Sequence, residues 1–307
     1  MTRPRTVILV HKGALGDFLQ VWPSLASLTR HWPDSSFLWA GREQYSLWTA
    51  PLGIQGCPGK LGREVDSLYS ATVWPEGLRD CLLIWFGLKK CPLEKHFPGV
   101  WFVPGLQAGV RSPPRQVYAQ GLAARGVPFH PGWLDLWRGT IAGYDREFRE
   151  KGDVFLFPGA GHPKRCWPLD RFQALGQWLI KLGHRVCFVY GPAEKERGVR
   201  VKNFEPIFPE NFRDLQDLLV RASLVVGNDS GPMHLAGYLG VPALALFGPA
   251  APEQWGPYRV RTLKCSLECS PCSEDGVITC ERPVCMQKIS LESVKKAVQE
   301  LQNDASC

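Results

Sequence analysis

Short apolar runs alternate with amphipathic helical stretches through both halves of this chain, and no other feature constrains its fold as strongly. The first run, 6–10 (TVILV), is β-branched and ends in glycine-containing sequence, which is typical of a strand buried inside a parallel sheet. Predicted strands are 6–10, 37–40, 81–86, 100–103, 153–157, 185–190, 224–227 and 241–247. Predicted helices are 17–30, 169–182, 212–222, 231–239 and 289–302. This alternation indicates an α/β protein whose parallel sheets are covered on both faces.

The alternation is interrupted once, near the middle of the chain. Residues 126–152 lose clear periodicity, and we interpret them as an interdomain stretch. Two domains also suit a length of 307 residues, because one domain takes roughly 150 residues. The sequence therefore predicts two Rossmann-like domains, 1–150 and 151–288, that face a cleft. Ligands of such sheets bind beyond the carboxyl ends of the strands.

The charge balance narrows the class of ligand. The chain has 36 Lys and Arg against 29 Asp and Glu, a net charge of +7. That excess suits a phosphate-rich ligand or an anionic membrane surface, and a mildly basic solvated surface explains it equally well. No nucleic acid partner is expected, because the basic residues are scattered and form no Lys/Arg-rich run.

The N-terminal sequence and the lack of a long apolar run predict a cytoplasmic protein. After Arg3 and Arg5 the apolar stretch is short and is broken at His11, so it does not fit a signal peptide. No apolar run approaches the roughly 18 residues of a membrane span. We therefore expect the 11 cysteines to be reduced thiols or metal ligands rather than disulfides.

The first candidate motif is 13–17 (GALGD), between the first predicted strand and helix. Gly13 and Gly16 permit a tight turn and a close approach of the backbone to a ligand. Asp17 stands at the helix start, facing the cleft, where it serves either as a catalytic carboxylate or as a simple N-cap. The dinucleotide fingerprint does not fit, since Leu19 stands where its third glycine belongs.

The second candidate motif is 228–234 (NDSGPMH), again between a strand and a helix. Backbone amides of Ser230 and Gly231 at the helix N-terminus would favour an anion such as a diphosphate. Asp229 and His234 can reach ligand hydroxyls or phosphate. The structural alternative is a capping Asp or Ser together with an ordinary helical histidine.

The third candidate motif is 158–168 (PGAGHPKRCWP), which joins a predicted strand to a helix. Its glycines and the adjacent Lys164 and Arg165 suit a phosphate clamp, and an exposed basic loop is the structural alternative. A P-loop ATPase is disfavoured, because the Lys-Ser/Thr ending of that motif is missing.

A set of cysteines lies before the last predicted helix: Cys265, Cys269, Cys272, Cys280 and Cys285. Only Cys269 and Cys272 have ordinary metal-ligand spacing, and a second such pair is missing. Unliganded structural thiols are therefore favoured over a structural zinc site. A metal at this place would hold a loop together and take no part in chemistry.

Together these segments resemble glycosyltransferase family 9, the lipopolysaccharide heptosyltransferases. They are similar to the family's GD…PxL…L, PGA…KRWP…F, GxxxE and D[TS]GxxHLA…GxP…[LY][FY]G patterns in the same order. Two departures are that Cys166 stands between Arg165 and Trp167, and that Glu follows Gly191 at 194 and 196 rather than at 195. The matching stretches are 16–28, 158–172, 191–196, 228–236 and 240–249. The cysteine loop before the last helix is also similar, whereas residues 41–150 match poorly.

The resemblance implies the two-domain GT-B fold, inversion at the sugar carbon and no metal requirement. It implies Asp17 as general base in an acceptor-binding N-terminal domain. For the donor, it implies that Lys164 or Arg165 contacts the diphosphate and that Glu194 or Glu196 contacts the ribose. It implies that Asp229 binds hydroxyls of the sugar. The residues that it implies around the phosphates are Ser230, Gly231 and His234. It further implies that a final helix, 289–307, crosses back to the N-terminal domain.

The hypothesis that follows is a single displacement, in which an acceptor hydroxyl attacks the anomeric carbon while a nucleoside diphosphate departs. The resemblance implies ADP-heptose as donor and a lipopolysaccharide-type glycolipid as acceptor. Peripheral contact with the inner face of the cytoplasmic membrane and a monomeric state are expected. Two alternatives stay open: a nucleotide-sugar epimerase of similar fold, and a non-catalytic sugar-nucleotide-binding protein.

Overall fold

The computed structural model describes residues 3–88, 97–141, 144, 152–199, 201, 203–204, 206–274, 277–281 and 283–305. Within those ranges, no helix combines the length and the apolar character that crossing a lipid bilayer demands. The chain divides into two compact units, Met1–Ala142 and Gly143–Cys307. The predicted domain boundary at 150/151 lies outside the described residues.

The first unit is built on a parallel sheet. Its strands are β1 (Thr6–His11), β2 (Ser36–Gly41), β3 (Ile54–Gly56), β4 (Cys81–Gly87) and β5 (Val100–Pro104). They lie in the order β3-β2-β1-β4-β5, and the pairings are parallel. The winding direction reverses between β1 and β4. Doubly wound folds bind ligands beyond the carboxyl ends of the strands at such a reversal.

The helices of the first unit are α1 (Leu15–His31), α2 (Ser46–Thr49), α3 (Gly59–Ser67), α4 (Pro114–Ala123) and α5 (Trp133–Gly139). Most of α1 is buried, and its Trp22 meets Trp137 of α5 edge to face at 4.9 Å between ring centroids. Helix α5 lies within 126–152, where the sequence analysis predicted no helix. Its seven residues are too few to show a helical period.

The second unit is also built on a parallel sheet. Its strands are β6 (Asp153–Phe157), β7 (Val186–Val189), β8 (Pro206–Ile207), β9 (Ala222–Asn228), β10 (Ala243–Phe247) and β11 (Arg261–Lys264). They lie in the order β11-β10-β9-β6-β7-β8, so the winding reverses between β6 and β9. A short antiparallel hairpin, β12 (Ser273–Glu274) and β13 (Val277–Ile278), follows β11.

The helices of the second unit are α6 (Leu169–Lys181), α7 (Pro192–Glu196), α8 (Phe212–Val220), α9 (Gly231–Tyr238), α10 (Pro252–Trp255), α11 (Cys285–Lys288) and α12 (Leu291–Ala305). Short 3-10 turns occur in both units, at Glu43–Tyr45, Ala50–Leu52, Glu76–Leu78 and Pro163–Arg165. Helix α12 packs on α6, β10 and β11 of its own unit. Its predicted passage to the N-terminal domain stays a prediction.

The two doubly wound parallel sheets confirm the predicted α/β class. The central strands were predicted to within two residues, because they are buried and nearly continuous in apolar sequence. Strands β3, β8 and β11 were not predicted. They are short edge or near-edge strands with partly exposed residues, so no apolar run marks them.

Candidate functional site

The second unit brings two of the predicted polar segments together. Strands β6 and β9 are neighbours, and Phe157 at the end of β6 pairs with Gly227 near the end of β9. The loop 158–168 follows β6, and the turn 228–231 follows β9. Both segments therefore leave the sheet at its reversal point, where a parallel sheet binds ligands.

Asn228 joins the two segments, and the sequence analysis did not single it out as a site residue. The side chain is fully buried; its Oδ1 accepts a hydrogen bond from the Trp167 amide at 2.9 Å. Its Nδ2 donates to the Pro158 carbonyl at 2.7 Å. Asn228 thus holds both ends of the loop 158–168 on β9. A polar residue at the end of an apolar strand was the available signal.

An ion pair crosses between the same segments. Nη1 of Arg165 lies 3.2 Å from Oδ2 of Asp229. The Asp229 side chain is 7% exposed and that of Arg165 is 25% exposed. A carboxylate this buried needs a cation or several hydrogen-bond donors, and the guanidinium supplies them in a planar fork.

Lys164 takes a different direction from Arg165. Its Nζ donates to the Cys280 carbonyl at 2.6 Å, which ties the loop 158–168 to the cysteine segment. The sequence analysis left Lys164 and Arg165 open as the residue at the donor diphosphate. The structure places Arg165 beside Asp229 and Lys164 beside Cys280.

Ser230 precedes α9 as an N-cap residue with an extended backbone, φ −159°. Its side chain makes no capping hydrogen bond, and within the described part of the chain its buried Oγ has no hydrogen-bond partner. The first amides of α9 begin at Gly231, where the helix dipole favours negative charge. His234 is buried one turn further along the helix.

The two candidate glutamates of α7 differ in position. Glu194 is buried, and its Oε2 accepts a hydrogen bond from the Gly191 amide at 3.0 Å. A Cβ built on Gly159 would lie 2.3 Å from the Glu194 carboxyl carbon, so the carboxylate lies against the loop after β6. Burial, aided by the charge of Glu194, raises the pKa of Tyr190 to about 12. Glu196 is exposed.

The first motif forms a loop at the end of β1. Asp17 lies in the first turn of α1, one turn beyond the N-cap residue Ala14. Its Oδ2 accepts a hydrogen bond from the Ala14 amide at 3.2 Å, and its side chain is half-buried. Gly16 lies in the same turn. The carbonyl of Gly13 accepts a hydrogen bond from Oη of Tyr45 at 3.2 Å.

His11, the last residue of β1, lies beneath this loop, and the sequence analysis did not select it. The ring is buried, with Nδ1 3.2 Å from the Phe86 carbonyl oxygen. Burial lowers the pKa of His11, and the Phe86 carbonyl and the charge of Asp17 act in the opposite direction. The sequence feature that could have identified His11 is a histidine at the end of an apolar strand.

The five candidate metal cysteines differ in exposure. Cys265 and Cys285 are buried, Cys272 and Cys280 are half-buried, and Cys269 is exposed. Burial, aided by neighbouring Cys280 and Cys269, raises the pKa of the Cys272 thiol. Among the residues that the structure describes, no three His, Cys, Asp or Glu side chains are grouped as a metal site would require.

Comparison with known sequences gives heptosyltransferases. The profile of glycosyltransferase family 9 (heptosyltransferase) matches residues 136–283. Lipooligosaccharide heptosyltransferase 2 of Haemophilus influenzae is 29% identical over 119 residues, which cover 35% of this chain and 34% of that protein. Lipopolysaccharide heptosyltransferase 1 of Pseudomonas aeruginosa is 26% identical over a match that covers 87% of this chain and 85% of that protein.

Comparison with solved structures gives the same fold. A glycosyltransferase of family 9 from Veillonella parvula superposes with a TM-score of 0.71 at 21% identity, over 98% of each chain. The E. coli heptosyltransferase WaaC with ADP superposes with a TM-score of 0.66 at 14% identity, over 96% of this chain and 99% of that one. The molecule therefore has the GT-B glycosyltransferase fold, as predicted. The chain is thus similar to the heptosyltransferases of glycosyltransferase family 9.

Proposed function

We propose that this protein is an inverting glycosyltransferase that moves a sugar, heptose first among the candidates, from an ADP-sugar to a hydroxyl of a lipopolysaccharide-core or related glycolipid. The observation that carries the proposal is the Arg165–Asp229 pair beside Ser230, at the reversal point of the second sheet. A guanidinium for phosphate, a carboxylate for sugar hydroxyls and a helix N-terminus occur there together. The E. coli relative with ADP supports ADP as the nucleotide.

The donor half stabilises the leaving group. When the bond between the anomeric carbon and the diphosphate oxygen breaks, its electron pair leaves with the nucleoside diphosphate. Arg165 and the amides at the start of α9 meet that growing negative charge. Arg165 carries several N–H donors, so a phosphate oxygen and Asp229 can bind it at the same time. We propose that Arg165 and these amides take the place of a metal ion. The enzyme should therefore keep its activity in EDTA.

The acceptor half supplies the base. Asp17 takes the proton of the acceptor hydroxyl as that oxygen forms its bond to the anomeric carbon, with inversion. The carboxylate suits this role because it is half-buried at the carboxyl end of β1 and is held by the Ala14 amide. The glycolipid acceptor would bring the protein, as a monomer, to the cytoplasmic face of the inner membrane, where a net charge of +7 favours anionic lipid.

Transfer is tested with ADP-heptose and rough lipopolysaccharide that lacks heptose. The expected product is the acceptor heavier by one heptose, detected by mass spectrometry, with release of ADP. A thermal-shift series with ADP-, UDP- and GDP-sugars should show the largest increase in Tm for the ADP-sugar. An isomerised sugar formed without acceptor would show an epimerase instead. Binding of the ADP-sugar with no transfer to any glycolipid would show a binding protein.

Asp17→Asn provides the decisive variant. We expect it to keep the thermal shift with ADP-heptose and to lose transfer by at least about a hundredfold, the usual contribution of a general base. Asp34→Asn is the matched control, because Asp34 is an exposed carboxylate of the same unit that pairs with Arg3. Undiminished turnover in Asp17→Asn would remove Asp17 from the reaction.

A further inference from the structure

We propose that His11 is a positioning residue for the general base: its Nε2 lone pair accepts a hydrogen bond from Asp17 after that carboxylate has taken the proton of the acceptor hydroxyl. The inference rests on the proposed function, because it assigns His11 a role in the reaction through Asp17.

The hydrogen bonds of the ring fix which nitrogen carries the lone pair. Nδ1 of His11 lies 3.2 Å from the Phe86 carbonyl oxygen, which can only accept a hydrogen bond. In the neutral ring Nδ1 therefore bears the hydrogen, and Nε2 bears the lone pair. Nε2 is buried and has no hydrogen-bond partner among the residues that the structure describes. Buried polar atoms without partners are rare, which indicates that Nε2 acquires a donor during the working cycle.

Gly13 shows where that lone pair points. A Cβ built on Gly13 would lie 2.6 Å from Nε2 of His11 and 2.8 Å from Cβ of Asp17. Both side chains thus border the same small space, which stays open only because residue 13 has no side chain. The Gly13 carbonyl accepts a hydrogen bond from the hydroxyl of Tyr45, which fixes the position of the loop. Asp17 is consequently the nearest candidate donor once it is protonated.

The proton balance of the step is simple. The acceptor hydroxyl gives its proton to the Asp17 carboxylate, its oxygen bonds to the anomeric carbon, and the diphosphate leaves with the electron pair of the broken bond. The resulting carboxylic acid donates its O–H to Nε2 of His11. His11 does not take the proton; it stabilises the protonated form of Asp17 until the proton passes to water.

Two isosteric variants separate this role from packing. His11→Asn keeps an N–H near Nδ1 for the Phe86 carbonyl and removes the acceptor at Nε2. His11→Gln loses that N–H and places an amide oxygen near Nε2. We expect kcat with ADP-heptose and heptose-deficient lipopolysaccharide to fall about tenfold in His11→Asn, with KM for the donor unchanged, and to fall less than about threefold in His11→Gln. A residue that only anchors β1 to Phe86 gives the reverse order, with Tm following kcat, and that result overturns the proposal.

The pH dependence gives a second readout. The charged groups that act on His11 are Asp17 and Arg42, and burial is the main cause that lowers its pKa. As the pH falls through that lowered pKa, Nε2 of the wild type gains a hydrogen and can no longer accept. The ratio of wild-type to His11→Asn kcat should therefore approach one in acid. A ratio that stays constant with pH contradicts the proposal. If His11→Asn does not fold, His11→Gln is used instead: its amide oxygen accepts at every pH, so the ratio of wild-type to His11→Gln kcat should fall in acid, and a constant ratio again contradicts the proposal.

Asp17→Asn, measured beside these variants, separates the two hypotheses. If Asp17→Asn keeps transfer, the proposed function fails and the role of His11 falls with it. If Asp17→Asn loses transfer while His11→Asn matches the wild type at every pH, only the role of His11 is overturned.

Discussion

The carboxyl group of Glu194 occupies the space that a side chain at position 159 would need. A Cβ on Gly159 would lie 2.3 Å from the Glu194 carboxyl carbon, far inside van der Waals contact. The Glu194 carboxylate also accepts a hydrogen bond from the Gly191 amide, with 3.0 Å between the nitrogen and Oε2. Glu194 of α7 therefore packs its carboxylate against the loop after β6.

Gly159→Ala tests that fit. We expect the methyl group to displace the Glu194 carboxylate and to weaken ADP binding about tenfold, because the carboxylate is then moved away from the proposed ribose contact. Gly161→Ala is the matched control, since a Cβ there meets no described atom within 4 Å. Calorimetric titration with ADP measures both variants. Equal affinities for ADP in the two variants would mean that Glu194 does not contribute to the donor site.

The two glutamates of α7 give a prediction about the ribose contact. Glu194 is buried against the loop after β6, whereas Glu196 is exposed. Glu194→Gln keeps an acceptor for the Gly191 amide and removes the negative charge. We expect ADP affinity to fall about three- to tenfold, because the proposed hydrogen bond between the ribose and residue 194 is then no longer charge-assisted. Glu196→Gln should bind ADP as the wild type does. The opposite ranking of the two variants would assign the ribose contact to Glu196.

Arg165 should matter for both stability and donor binding. Arg165→Gln leaves the Asp229 carboxylate, 7% exposed, without the cation 3.2 Å away. We expect a loss of about 1–3 kcal/mol in the free energy of unfolding, measured in urea, because a buried charge loses a partner. ADP affinity should fall as well. Lys164→Gln is the comparison: it removes the hydrogen bond to the Cys280 carbonyl and should leave ADP affinity closer to that of the wild type.

The fold could be predicted wherever apolar sequence is continuous. Strands such as β6 and β10 are buried almost throughout, so they are recognisable in the sequence as short apolar runs. Strand β11 alternates between half-buried and exposed residues, so its pattern in the sequence is weak. Helix α5 depends on aromatic contacts with α1, and no local pattern encodes such contacts.

The site could be predicted only in part, because residue type and spacing do not determine side-chain direction. The turn around Asp229 and the loop around Arg165 each follow a strand, and the alternation of strands and helices was enough to predict that. That the two strands are neighbours is seen only in the sheet order. The choice between Glu194 and Glu196, or between Lys164 and Arg165, depends on which side chain points into the site. Those directions follow from long-range contacts, such as that of Lys164 with the Cys280 carbonyl, which no local pattern encodes. The role of Asn228 likewise depends on two long-range hydrogen bonds.

Ser230 gives the sharpest separation of stability from function. Its Oγ is buried, does not cap α9, and has no hydrogen-bond partner in the ranges that the structure describes. Ser230→Ala removes an unsatisfied polar atom, so the free energy of unfolding should stay constant or rise by up to about 1 kcal/mol. ADP affinity should fall several-fold, because the hydroxyl is then missing at the proposed diphosphate site.

Asn211 provides the contrast for that variant. It caps α8, with Oδ1 accepting hydrogen bonds from the amides of Arg213 at 2.9 Å and Asp214 at 3.0 Å. Asn211→Ala should therefore cost about 1 kcal/mol of stability and leave ADP affinity unchanged. If Ser230→Ala behaves like Asn211→Ala in urea unfolding and in ADP titration, the Ser230 hydroxyl serves the helix. If Ser230→Ala instead keeps its stability and loses ADP affinity, the Ser230 hydroxyl binds the diphosphate and does not stabilise α9.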